Sequence, residues 1–123
     1  MANTEVEFSI LAGAGAPLRT FKQGEVIFRE GDPASELYVI KSGRVDVASG
    51  NRLLATLDAN GIFGEMALID KEPRSATVTA VTDVEVVPVG EKQFLFLVSQ
   101  TPFFALKVMR VLASRLRVAN KAI

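Results

Sequence analysis

Between residues 17 and 89 the chain is a succession of short β-branched runs, each closed by glycine or a polar turn, and beyond Gly90 that texture stops. Such spacing predicts strands at 18–21, 25–28, 37–40, 45–47, 53–57, 76–81 and 84–89, and many short strands between regular turns suggest a barrel or sandwich. The turns are Lys22-Gln23-Gly24, Gly31-Asp32-Pro33, Ser42-Gly43, Ser49-Gly50-Asn51 and Thr82-Asp83, with 45–47 and 53–57 as hairpin partners. No internal repeat or low-complexity tract interrupts the pattern, and Ala12 to Ala16 reads as a small-residue connector.

With 123 residues there is room for one domain with a core, and an apolar share of 49% beside 23% charged residues is that of a folded, soluble chain. Neither cysteine nor histidine occurs. Disulfides, thiolate chemistry, the commonest metal ligand and the commonest neutral-pH general base are therefore all missing, so no catalytic or metal-ligating residue is assigned. The first nine residues carry Glu5 and Glu7 and no basic, then apolar, leader pattern. Apolar runs elsewhere stop well short of a membrane span, so a cytoplasmic protein without membrane contact is expected.

After Gly90 the pattern is helical. One short helix is predicted over 91–98, and Thr101-Pro102, a capping residue followed by proline, opens a second that runs to about Asn120. On it Ala105, Met109, Leu112, Leu116 and Ala119 share one face. Phe104, Val108, Val111 and Val118 share a neighbouring one, interrupted by Arg115. An apolar surface this wide either makes a broad contact with the chain's own barrel or, in the preferred reading, turns its second face to a twin helix in a homodimer. No acidic residue follows Glu91, while Lys107, Arg110, Arg115, Arg117 and Lys121 do. These basic groups read as a solvated helix end that complements its dipole, or as a docking face for an acidic partner. Direct DNA binding is not expected, because no helix-turn-helix follows and no aromatics alternate with the charges.

The segment Gly61-Ile62-Phe63-Gly64-Glu65-Met66-Ala67-Leu68-Ile69-Asp70-Lys71-Glu72-Pro73-Arg74-Ser75-Ala76-Thr77-Val78 carries the chemistry. It reads as a strand end, a glycine-flanked turn, one short helical turn, and a loop re-entering a strand. Gly64 lets a ligand approach the backbone, and the free N–H groups of a helix start attract phosphate. A carboxylate would repel that phosphate, so Glu65 should face a hydroxyl pair such as a ribose supplies. Arg74 offers a guanidinium fork to the phosphate, with the Ser75 hydroxyl and the Ala76 N–H as further donors. Taken singly, Glu65 and Arg74 also fit a surface ion pair, the glycines fit ordinary turns and Ser75 an ordinary strand. Their order suits one sugar joined to one phosphate.

These residues resemble a known family. Phe63-Gly64-Glu65-Met66-Ala67-Leu68 and Pro73-Arg74-Ser75-Ala76-Thr77-Val78 are similar to the phosphate-binding cassette of cyclic nucleotide-binding domains. Gly24-Glu25-Val26-Ile27-Phe28, Glu30-Gly31-Asp32 and Leu37-Tyr38-Val39-Ile40-Lys41-Ser42-Gly43 resemble the same family's first half. The resemblance implies a mainly β fold, an eight-stranded β-roll over about 17–89 followed by two helices over about 91–120. It implies that Glu65 binds the ribose 2′-hydroxyl, that Arg74 and Ser75 bind the cyclic phosphate with the backbone at Gly64 and Ala76, and that Phe63, Met66 and Ala67 complete the cassette. The tail resembles the long helix of catabolite-activator-type regulators, which makes Asn120 the candidate adenine contact. No DNA-binding domain follows, so a stand-alone sensor or a piece of a longer regulator or channel is expected. The expected ligand is cAMP, with cGMP the alternative, because Ser75 follows the cassette arginine; no cofactor is implied. Ligand binding should reposition the terminal helices for a downstream protein whose identity the residues do not give. The competing readings are a ligand-free interaction scaffold and a small β-barrel enzyme, the latter disfavoured by the missing histidines.

Overall fold

A computed structural model describes the backbone of residues 17–121 and the side chains of residues 17–117. Eight strands precede two helices: β1 (Arg19–Phe21), β2 (Val26–Phe28), β3 (Glu36–Ser42), β4 (Val45–Ser49), β5 (Arg52–Leu57), β6 (Ile62–Phe63), β7 (Thr77–Ala80), β8 (Val84–Gly90), α1 (Glu91–Gln100) and α2 (Phe103–Lys121). A 3₁₀ turn, Glu65–Leu68, follows β6. The strands form two four-stranded antiparallel sheets, ordered β1-β8-β3-β6 and β2-β7-β4-β5. This is the β-roll that the resemblance implied. Seven strands fall where the turn spacing predicts them, with ends moved by a residue or two; the two-residue β6 is too short to show any periodicity.

β3 and β8 explain why Leu37-Tyr38-Val39-Ile40 is apolar without a break. Alternate side chains of a strand point to opposite faces. Tyr38, Ile40, Val84 and Val86 face the interior between the sheets, packed with Phe28, Phe63 and Val78. Leu37, Val39, Val87 and Val89 face outward and are covered by Leu97, Phe104 and Val108 of the two helices. A sheet buried on both sides needs apolar residues at every position. Pro88 is tolerated in β8 because β1 pairs only with Val84, Val86 and the Glu85 between them, leaving no second neighbour at residue 88.

The helices are fixed by that outer cluster. Gly90 donates its N–H to Gln93 Oε1 at 3.2 Å at the start of α1, and the chain bends by 119° around Thr101-Pro102 before α2. Phe104 and Val108 are buried on the roll, each burial contributing about 1.5–3 kcal/mol. The face of Phe104, Val108 and Val111, expected to meet a twin helix, packs on the chain's own sheet together with Leu112, while Leu106, Met109 and Leu116 stay exposed. The reason is placement: α2 leaves the bend with Phe104 in the cluster that covers the outer face of the β3–β8 sheet, its ring 5.7 Å from that of Phe94, and Val108 and Val111 join the same cluster. Among the described residues no single helix is long and apolar enough to cross a membrane.

Candidate functional site

The 61–78 segment lies where the two sheets and the helices meet. Gly64 takes a left-handed conformation, φ 75°, that ends β6 and starts the 3₁₀ turn. A Cβ there would lie 2.7 Å from Nη1 of Arg74, so a side chain at this position would have to displace the guanidinium. After the turn, the loop returns through Pro73, and the backbone of Arg74 is tied to the 31–32 turn on both sides. Its N–H donates to the Asp32 carbonyl and its carbonyl accepts from Gly31 N–H, both at 2.8 Å.

Glu65 and Arg74 are the two charged residues buried among those described, 1% and 7% exposed. They are not each other's partner, so the surface ion pair considered above is not formed. Glu65 Oε2 accepts from Arg115 Nη1 on α2, and Arg115 Nη2 also donates to the Ile62 carbonyl at 3.2 Å. The Arg74 guanidinium donates from Nη2 to the Glu36 carbonyl at 2.9 Å and from Nη1 to the Gly64 carbonyl at 3.3 Å. Its Cζ lies 4.0 Å from the centroid of the Phe28 ring. Burial pulls the Arg74 pKa down from the usual arginine range, opposed by Tyr38, Glu36 and Asp32 nearby, and the group remains a cation.

Each of these buried groups keeps one polar atom without a partner: Oε1 of Glu65 and Nε of Arg74. An orphaned buried polar atom costs about 1–3 kcal/mol, and native structures hold few of them. A buried acceptor and a buried cationic donor, each without a partner, match in chemistry a sugar hydroxyl and an anion.

The other sequence-assigned residues fall around this pair. Phe63 is buried in the interior cluster, Ala67 is a buried residue of the 3₁₀ turn, and Met66 is 41% exposed. Ser75 is exposed at the end of the loop, and Ala76 is buried where β7 begins. Asn120 lies outside the residues whose side chains are described. Arg115, read only as a solvated cation or part of a docking face, is instead turned inward; its one sequence signal is that it breaks an apolar stripe. Phe28, Tyr38 and the Glu36 carbonyl were also missed, because as strand residues they carry no chemical signature. A cavity of about 490 Å³ between the 3₁₀ turn, α1 and α2 includes Glu65 in its wall but not Arg74.

Residues 18–101 match the family model of the cyclic nucleotide-binding domain, over two-thirds of the chain. The chain belongs to that family. Within it, this cyclic nucleotide-binding domain is 36% identical over 107 residues to the cyclic AMP receptor protein of Thermus thermophilus, covering 83% of this chain and 50% of that protein. It is 39% identical over 89 residues to a cGMP-dependent protein kinase of Toxoplasma gondii, covering 72% of this chain and 9% of the kinase. Among solved structures, the catabolite activator protein of Thermus thermophilus superposes with a TM-score of 0.80 at 32% identity, over 94% of this chain and 56% of that one. The domain thus spans half or less of the curated relatives it matches.

Proposed function

We propose that this domain is a cyclic AMP sensor in which Glu65 accepts from the ribose 2′-hydroxyl and Arg74, with Ser75 and the Ala76 N–H, holds the cyclic phosphate. The observation that carries the proposal is the pair of orphaned atoms, Glu65 Oε1 and Arg74 Nε, in side chains otherwise fully engaged. The preference for the adenine nucleotide over cGMP rests on Ser75 after the arginine and on likeness to a relative named for cyclic AMP. Glu65 is also the attachment point of α2 through Arg115, so a ligand that binds Oε1 favours whichever helix position keeps Arg115 on Oε2, by its difference in affinity for the two positions. The exposed Met109 and Leu116 support a homodimer through α2, the helix then reporting ligand state to a downstream protein. Calorimetric titration of wild type and Arg74→Ala with cAMP and cGMP tests the reading. Tighter binding of cAMP and near loss of binding in the variant are expected; equal affinities of wild type and variant would refute it.

A further inference from the structure

The phosphate-site arginine rests on an aromatic surface. The Arg74 Cζ lies 4.0 Å from the centroid of the Phe28 ring and 5.6 Å from that of the Tyr38 ring. Phe28 cannot drift. It packs on Tyr38 at 6.0 Å and on Phe63 at 5.9 Å between centroids, while Tyr38 and Phe63 stack at 5.3 Å. The cluster is clamped from outside as well, because the Tyr38 hydroxyl donates to Glu36 Oε1 at 3.1 Å and Arg19 donates to the same carboxylate at 2.9 Å. From above, a Cβ on Gly64 would sit 2.7 Å from Arg74 Nη1 and 3.5 Å from the Phe28 ring, so the guanidinium lies in a slot between a bare backbone and a ring face.

We propose that Phe28 is a positioning residue for anion binding: its ring, braced by Tyr38 and Phe63, holds the Arg74 guanidinium in the arrangement that engages both Nη atoms and leaves Nε without a partner. This rests on the reading of Arg74 as the phosphate ligand. A guanidinium taken out of water loses hydration that two carbonyls only partly replace. The negative ring face supplies the remainder, and arginine, weakly hydrated and planar, stacks well there. Without that face, water outside competes for the side chain, and the anion must then recruit it from a wider set of orientations. An aromatic that only filled the core would contribute volume and nothing to the anion.

The test is a series of full-chain proteins in which Phe28 is replaced by mono-, tri- and pentafluorophenylalanine, each titrated calorimetrically with cAMP and melted without it. The series keeps the ring's shape while weakening and then reversing the charge on its face. Affinity for cAMP should fall step by step with fluorination, to about tenfold weaker for the fully fluorinated ring, while the unliganded melting temperature falls only by the few degrees that a weakened ring–guanidinium contact costs. Phe28→Tyr, which keeps an electron-rich face, should bind as wild type does. Affinity that is flat across the series, or that tracks melting temperature instead of ring charge, overturns the positioning role. Should wild type bind neither cAMP nor cGMP, the phosphate-site reading itself fails, and that result is distinct from a flat series on a protein that binds.

Discussion

Arg115 and Glu65, 50 positions apart in sequence, form an ion pair that joins the last helix to the 3₁₀ turn of the cassette. The carboxylate is 1% exposed and the guanidinium side chain 37%, so the pair is buried on the roll side and open on the helix side. Oε2 takes Arg115 and Oε1 takes nothing, so on the proposed reading one carboxylate serves both the fold's own helix and the ligand. Under that reading, ligand recognition in the cassette and helix placement at the carboxyl end, which the sequence presents separately, meet at one side chain.

Arg115→Ala should therefore harm both. Removing the partner leaves a buried carboxylate uncompensated, at about 1–3 kcal/mol of stability, moderated by the arginine's partial exposure. Thermal denaturation should show a melting temperature several degrees lower. Calorimetry should show cAMP affinity reduced about tenfold, in the range of ordinary coupling between sites. Tighter binding in the variant would mean that Arg115 competes with the nucleotide instead of orienting its receptor.

Gly64→Ala tests the slot occupied by Arg74. The left-handed backbone alone costs an alanine about 1–2 kcal/mol, and the new methyl also collides with the guanidinium. Gly24 is the control: its φ is 88° and a Cβ there meets nothing within 4 Å. Denaturant unfolding should show both alanine variants destabilised, but only Gly64→Ala should lose cAMP affinity.

Tyr38 is the chain's single tyrosine, so tyrosinate absorbance reports that residue alone. Burial, followed by the charge of Glu36 and the hydrogen bond to it, raises its pKa above the ordinary 10.0. A spectrophotometric titration should place the midpoint above that value. Since the folded protein holds this proton more tightly than the unfolded chain, the contribution to stability is complete below the unfolded pKa. It declines as pH rises through the folded one. Tyr38→Phe should remove that part of the alkaline loss.

If α2 mediates self-association, Leu116→Glu, which introduces a charge at a side chain 63% exposed, should convert dimer to monomer in sedimentation equilibrium. A wild type that sediments as a monomer at all concentrations would contradict the dimer.

The roll was legible because β-branched runs and turn residues report local geometry, and the doubly buried β3 showed itself as an unbroken apolar run. The cassette was legible because Gly64, Glu65, Arg74 and Ser75 lie within twelve residues and keep their chemical meaning in order. What escaped depends on tertiary placement. The bend at Thr101-Pro102 decides which stripe of α2 meets the sheet, and nothing in a helical pattern orders two adjacent apolar stripes. The same bend brings Arg115 to Glu65, so a residue that breaks an apolar face became a partner of the site. Phe28 met the guanidinium through strand pairing and the fold of the loop, neither of which a phenylalanine in an apolar run announces.

In the proposed complex the unpartnered oxygen of Glu65 receives a ribose hydroxyl. Titrating wild type with cAMP and with 2′-deoxy-cAMP, in the same buffer by calorimetry, addresses it with a ligand change of one atom. The deoxy ligand should bind at least about tenfold more weakly, because it leaves a buried charged acceptor unpaired. Equal affinities for the two ligands would contradict the claim.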